Sequence, residues 1–143
     1  MAFLLQDIPV HATFERFNKR YPSLDPKSTE AFLRLMRVGS DCLDFLDHLL
    51  EQHDLLHGRW ITLILLMRVP DHQADPSDLA EKQGVSRPTM TGLLERLERD
   101  GLIERVPDPQ DGRRFAAKLT RSGVAKLDTV MPGYYEAIAD LMS

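Results

Sequence analysis

Apolar positions recur at helical spacing along most of this chain, and the rhythm changes only once. Asp25-Pro26 supplies an N-cap and a first-turn proline, with Glu30 near the positive end of the helix dipole. From there Phe32, Leu35, Cys42, Phe45, Leu46 and Leu49 mark a long amphipathic helix running to about Glu51. A second helix is predicted at roughly 57–69, where Trp60, Ile61, Leu63, Ile64, Leu65 and Leu66 are apolar on nearly all sides and therefore central. Pro70 ends it. Asp75-Pro76 repeats the cap-and-proline start for a short helix through Leu79, Ala80 and Lys82 that stops at Gly84. Ser86 opens another helix to Arg99 or Asp100, with Gly101 as its stop.

The period then changes. Leu102 to Val106 and Phe115 to Leu119 read as two short strands joined by the polar loop Pro107 to Arg114, a hairpin. Thr120 caps a final helix containing Val124, Leu127 and Val130 and, beyond Pro132-Gly133, Tyr135, Ile138 and Leu141. The first 24 residues hold Pro9, Pro22, Phe14, Phe17 and Tyr21 without a sustained period, so they predict an arm with at most one short helix near 11–20.

Helix, helix, tight glycine turn, helix, hairpin is the order of a winged helix-turn-helix. The expected fold is mainly α, a winged helix-turn-helix lobe with a helical dimerisation region. Its predicted parts are an arm over 1–24, a dimerisation region over 25–54 and 121–143, and a DNA-binding lobe over 55–120. In the diagnostic stretch, Leu79, Ala80, Val85, Met90, Leu93, Leu94 and Leu97 would fill the small core between two helices, and Gly84 would take the positive φ of the turn. Ser86, Arg87, Pro88, Thr89, Thr91, Gly92, Glu95, Arg96 and Arg99 then face outward. The first half of that surface is short, polar and uncharged or basic, which suits a helix start placed in the DNA major groove. The competing reading is a solvated face on which Arg87, Arg96 and Arg99 pair with Glu95 and Glu98.

The hairpin loop ends in Asp111-Gly112-Arg113-Arg114. A narrow minor groove concentrates negative potential and accepts an arginine, and a carboxylate such as Asp111 would hold that guanidinium in a bidentate pair. The plainer alternative is an Asp-Gly turn with surface charge.

Charge sharpens this picture. The chain of 143 residues has 18 basic and 22 acidic residues, a formal net charge of −4. The imbalance is uneven: residues 1–86 carry −4, residues 87–121 carry +2, and residues 122–143 carry −2. A basic segment in an acidic chain fits one face meeting an anion while the rest stays soluble. The length suits one globular domain with a self-sufficient core. The longest apolar run, Ile61 to Met67, is broken by Thr62 and falls far short of the roughly 20 residues of a membrane helix, and no signal peptide is read. Cys42 is the only cysteine, which excludes an intrachain disulfide and makes the reducing cytoplasm the expected compartment.

The chain resembles the MarR (multiple antibiotic resistance regulator) family of bacterial transcription regulators over about Leu55 to Leu141. The residues that carry the resemblance are Gly58-Arg59-Trp60, then Leu79-Ala80 with Gly84-Val85-Ser86 and Thr91. They continue with Leu97, Asp100-Gly101-Leu102-Ile103 and Arg105, and with Asp108, Asp111-Gly112-Arg113-Arg114, Leu119-Thr120 and Gly123. The resemblance implies that the helix starting at Ser86 enters the major groove, that Arg113 enters the minor groove, and that the protein is a homodimer on a pseudo-palindromic double-stranded operator. The DNA-contacting set expected from pattern and resemblance together is Ser86, Arg87, Pro88, Thr89, Thr91, Arg96, Asp111, Arg113 and Arg114. Members of the family usually continue past the position of Ser143 with a further interface helix. Here either the sequence is a shortened form or dimerisation leans on helix 25–51, the aromatic arm and the last helix.

The resemblance also implies a small-molecule effector, often an aromatic or phenolic acid, where the dimer-forming helices meet the DNA-binding lobe. That junction should include His53, His57, Arg59 and Trp60, a ring with a cation suited to an aromatic carboxylate. The alternative makes Trp60 simply core and the histidines helix-end residues. Cys42 as a redox-sensing thiol and Asp44, His48, His53 and His57 as metal ligands are weaker readings, since Cys42 continues the apolar stripe and the others lie on an acidic face. No metal or cofactor is expected. A winged-helix module that binds protein would need an apolar or acidic surface where Arg87, Thr89, Thr91 and Arg113 stand. An enzyme would need a phosphate loop, nucleophile elbow or metal signature, none of which is recognisable here.

Overall fold

The computed structural model describes Phe3 and residues 5–143. Of the arm expected over 1–24, Met1, Ala2 and Leu4 lie outside the described residues. The chain forms two compact units, Met1–Leu46 and Asp47–Ser143.

The first unit holds α1 (His11–Arg20), the short helix expected in the arm, and most of α2 (Pro26–Glu51). Asp25 caps α2 as its position predicted: Oδ2 accepts the Ser28 amide at 2.9 Å. Hydrogen bonding by Ser28, first through its side chain and then through its amide, holds the Asp25 carboxyl below the usual carboxylate range. The Arg37 guanidinium donates to the Phe3 and Leu5 carbonyls at 3.0 and 3.3 Å, and Ser40 Oγ accepts the Phe3 amide, so Phe3 and Leu5 are laced to α2. Phe14 is the buried residue of α1. Much of the apolar stripe on α2 is uncovered: Phe32, Leu35, Val38 and Phe45 are each at least half exposed, Leu35 to 70%.

The second unit holds the end of α2, then α3 (His57–Arg68), a single 3-10 turn at Pro70–His72, and β1 (Gln73–Ala74). These are followed by α4 (Pro76–Gln83), α5 (Arg87–Arg99), β2 (Ile103–Pro107), β3 (Phe115–Leu119) and α6 (Arg121–Leu141). The strands form an antiparallel sheet in the order β1-β3-β2, with Arg105 opposite Ala117 and Gln73 opposite Lys118. Two residues carry no period of their own, so β1 had no pattern in the sequence; it exists because β3 offers a second edge. Mainly helical secondary structure, a tight turn and a wing make this a winged helix-turn-helix.

α3 is the central helix the pattern predicted, with Trp60, Thr62, Leu63 and Leu66 fully buried. Leu79, Ala80, Met90, Leu94 and Leu97 from α4 and α5 join the same core, while Val85 and Leu93 are only half-buried. Each fully buried Leu or Met contributes about 1.5–3 kcal/mol. Gly84 (φ 71°) and Gly101 (φ 75°) close α4 and α5 in the left-handed region, where a side chain would be strained.

The final helix is continuous, as the spacing on both sides of Pro132-Gly133 predicts. α6 runs unbroken through Pro132. A proline removes one amide donor and crowds the preceding turn. Here Val130, Tyr134 and Ala137 on either side are buried, and their packing holds the helix together.

Candidate nucleic-acid interface

Ser86 is the N-cap of α5, its Oγ accepting the Thr89 amide at 3.2 Å while its hydroxyl donates to Thr89 Oγ1 at 2.9 Å. Pro88 occupies the first turn, where no amide donor is missed. The Thr91 hydroxyl donates back to the Arg87 carbonyl at 3.0 Å. These bonds fix the hydroxyls of the first turns in a set orientation. Ser86, Arg87, Pro88, Thr89 and Thr91 are all exposed.

What aims α5 lies beneath it. Thr62, fully buried in α3, donates its hydroxyl to the Gly58 carbonyl at 2.9 Å, with Gln83 Oε1 2.8 Å away. Gln83 Nε2, at the end of α4, donates to the same carbonyl at 2.9 Å. This lock ties the last turn of α4 to α3 and so sets the turn from which α5 leaves. Periodicity could not reveal it; the one sign was a lone Thr62 inside an apolar run.

The wing brings Arg113 and Arg114 to the same side. Asp111 acts differently from expectation: its Oδ1 accepts the Arg113 backbone amide at 3.0 Å, and its carbonyl accepts the Arg114 amide at 3.0 Å. Asp111 therefore shapes the loop as an Asx turn and leaves the Arg113 guanidinium free, because the two-residue separation brings the amide closer than the long side chain's end. An open cleft of about 420 Å³ is lined by Pro76, Ser77, Arg87, Thr91 and Arg114. It joins α5, the start of α4 and the wing through two guanidinium groups and two hydroxyls. Ser77 was not among the residues singled out in the sequence. Arg87, Arg113 and Arg114 make no ion pair among the described residues.

Arg96 is exposed but is drawn to Asp100, Nε to Oδ2 at 3.2 Å, at the far end of α5 from Ser86. Arg105 pairs with Glu98 at 3.0 Å and lies over the Phe115 ring at 4.3 Å, bracing the wing on α5. Of the solvated-face reading, then, Arg96 and Glu98 behave as surface ion-pair members, whereas Arg87 does not.

The four residues expected around an effector are only partly together. Trp60 is fully buried, and its ring meets Tyr134 edge to face at 5.3 Å. His57 Nδ1 faces Asp47 Oδ1 at 3.5 Å. Arg59 turns the other way, its Nη1 3.4 Å from Asp100 Oδ2. His53 sits half-buried in the turn after α2, its amide bonded to the Leu50 carbonyl. Asp47 and Tyr134 were not foreseen. The Tyr134 phenol is held above its usual range, chiefly by burial. Among the described residues no three His, Cys, Asp or Glu side chains cluster as a metal site, and no helix is long and apolar enough to cross a membrane.

A family model described as the MarR family matches residues 53–114. The HTH-type transcriptional repressor YetL of Bacillus subtilis (strain 168) is 30% identical over 138 residues, covering 96% of this chain and 83% of that protein. The Staphylococcus aureus MepR–DNA complex superposes with a TM-score of 0.69 at 29% identity, over 78% of this chain and 81% of that one. Sco3205 of Streptomyces coelicolor, a MarR family regulator solved with DNA, shares the fold at a TM-score of 0.79 and 24% identity, over 82% and 74%. By its alignment with YetL along nearly its whole length, and by the wing and turn just described, this chain belongs to the MarR family of transcriptional regulators.

Proposed function

We propose that this protein is a sequence-specific DNA-binding repressor that acts as a homodimer and leaves its operator when a small molecule binds. The observation that carries the reading is the cleft between α4, α5 and the wing, where Arg87 and Arg114 converge with Ser77 and Thr91 and Arg113 stands beside it without an acidic partner. Guanidinium groups and hydroxyls on a helix start suit phosphate and base-edge contacts. Residue type further supports this, because the exposed first turns of α5 are short and polar.

Dimerisation is supported by α2. Phe32, Leu35, Val38 and Phe45 are exposed on one helix, and a continuous apolar stripe of this kind marks an interface. In the other unit, Tyr135, Leu141 and Met142 are exposed apolar residues near the end of α6. A two-fold dimer reads a pseudo-palindrome whose half-sites lie about 10 bp apart, roughly one DNA turn.

The test is selection of bound fragments from a random-sequence duplex library, followed by sizing of the complex. Enrichment of an inverted repeat bound by two chains is expected. Binding with no sequence preference, or by a single chain, would count against the reading.

A further inference from the structure

The first two turns of α3 carry two features that a central apolar helix does not need. Gly58 leaves room for its neighbours: a Cβ there would come within 3.2 Å of Leu93 Cδ2 on α5 and 3.9 Å of Gln83 Nε2 at the end of α4. Thr62, one turn on, is a fully buried hydroxyl inside an apolar run. A valine would fill the same space with no polar atom to satisfy.

The hydroxyl is matched to a side chain from another helix. Thr62 Oγ1 lies 2.8 Å from Gln83 Oε1 and 2.9 Å from the Gly58 carbonyl oxygen, and Gln83 Nε2 donates to that same carbonyl at 2.9 Å. Both ends of the Gln83 amide are therefore engaged in a closed ring of three groups. Direction separates such a ring from apolar packing. Apolar contact holds helices together but is non-directional, whereas hydrogen bonds weaken steeply when donor and acceptor turn apart.

Gln83 is the last residue of α4, and Gly84 and Val85 alone separate it from Ser86, the N-cap of α5. Both are tied back to α4, the Gly84 amide to the Ala80 and Glu81 carbonyls and the Val85 amide to Ala80 at 3.0 Å. Through this short turn, whatever fixes Gln83 fixes the position and heading of Ser86.

We infer that Gln83, held by Thr62 and Gly58, is a positioning residue that sets sequence discrimination by α5, although none of the three lines the cleft beside the wing. This role rests on the DNA-reading repressor proposed above. Base-edge hydrogen bonds need close placement, while attraction to phosphates is long-range and tolerant. Loosening the ring should therefore weaken specific binding and spare non-specific binding.

The experiment uses the full chain and two duplexes: the inverted repeat enriched from the random-sequence library, and the same repeat scrambled. Gln83→Met keeps length and neutrality but removes both ends of the amide, and Thr62→Val removes the hydroxyl. Each should lower affinity for the repeat by about tenfold and leave affinity for the scrambled duplex within about twofold. Thr62→Ser keeps the hydroxyl and should restore most of the discrimination. The double variant should lose little more than either single one, because the ring breaks once. Urea unfolding of each variant is read alongside. An unchanged ratio between the two duplexes in Gln83→Met, with or without a lowered urea midpoint, overturns the inference, as does an equal loss on both. Gln83 is only half-buried, so this variant folds even where Thr62→Val does not. A parent without preference for the repeat overturns the repressor reading itself, and that result is visible before any variant is compared.

Discussion

Arg59 Nη1 lies 3.4 Å from Asp100 Oδ2, and Arg96 Nε reaches the same oxygen at 3.2 Å. Arg59 is buried, with 8% of its surface exposed, so its charge depends on this partner, while the Asp100 side chain is about one-third exposed. The pair pins the start of α3 to the end of α5.

Removing the acceptor leaves a buried guanidinium without its carboxylate. Breaking a fully buried pair costs about 3–5 kcal/mol, and the exposure of Asp100 discounts that. Asp100→Ala should therefore lower stability by about 1–2 kcal/mol in urea unfolding. Unchanged stability would mean that the Arg59 charge does not depend on Asp100.

Gly123 tests a different kind of closeness. A Cβ at this position would overlap the Leu102 carbonyl oxygen and crowd the Leu119 side chain. The oxygen cannot swing away, since it accepts the Thr120 amide at 3.1 Å, and Thr120 in turn caps α6 by accepting the Gly123 amide. Gly123→Ala should destabilise by about 1–3 kcal/mol or more, as overpacking against backbone does. Gly133→Ala, in the same helix with open space around it, should be neutral or stabilising by about 0.5–1 kcal/mol. Thermal unfolding of the two variants side by side separates steric contact from helix propensity.

These contrasts show where the sequence was readable. Helices α2 to α6 and the wing hairpin were legible because caps, prolines, glycines and apolar spacing all act within a few residues of one another. The short strand β1 was not legible, since its two residues pair only because β3 offers them an edge. The candidate DNA surface was legible as residue types at a helix start, and all nine expected residues are exposed. Their roles were less so: Arg96 spends its charge on Asp100, and Asp111 binds an amide where a guanidinium was expected. The surroundings of Trp60 were least legible, because Tyr134 meets its ring from a helix far along the chain and Asp47 faces His57 from the preceding one.

Tyr134 carries a pH dependence whose sign follows from burial. Its folded-state pKa lies above the ordinary 10.0, so the folded protein holds the phenolic proton more tightly than the unfolded chain. That contribution is fully present below pH 10 and is lost as pH rises through the folded-state value. Stability of the parent should fall across this alkaline window more steeply than that of Tyr134→Phe, which has no proton to lose. Urea unfolding between about pH 8 and pH 11 provides the comparison; parallel curves would mean that Tyr134 ionises freely in the folded state.

The wing separates orientation from charge. Arg113 has no ion pair among the described residues, and its backbone amide is held by Asp111 Oδ1 in a turn that also places Arg114 beside the cleft with Arg87. Arg113→Ala should weaken binding to most operator variants by about 1–3 kcal/mol and reduce the salt slope by about one unit, with little change in base preference. Arg87→Ala, at the helix start, should shift preference among sequences as well as affinity. Asp111→Ala deletes the Asx-turn acceptor, so the loop loses its set shape while both arginines keep their charge: affinity should fall and the salt slope should hold. Asp111→Asn retains an oxygen acceptor for the Arg113 amide and should restore most of the affinity, whereas a guanidinium clamp would lose its charge partner in both variants and show no rescue. Binding of the four variants to a small operator library at two salt concentrations decides the matter, and parental affinity in Arg113→Ala at both salts would remove the wing from the interface.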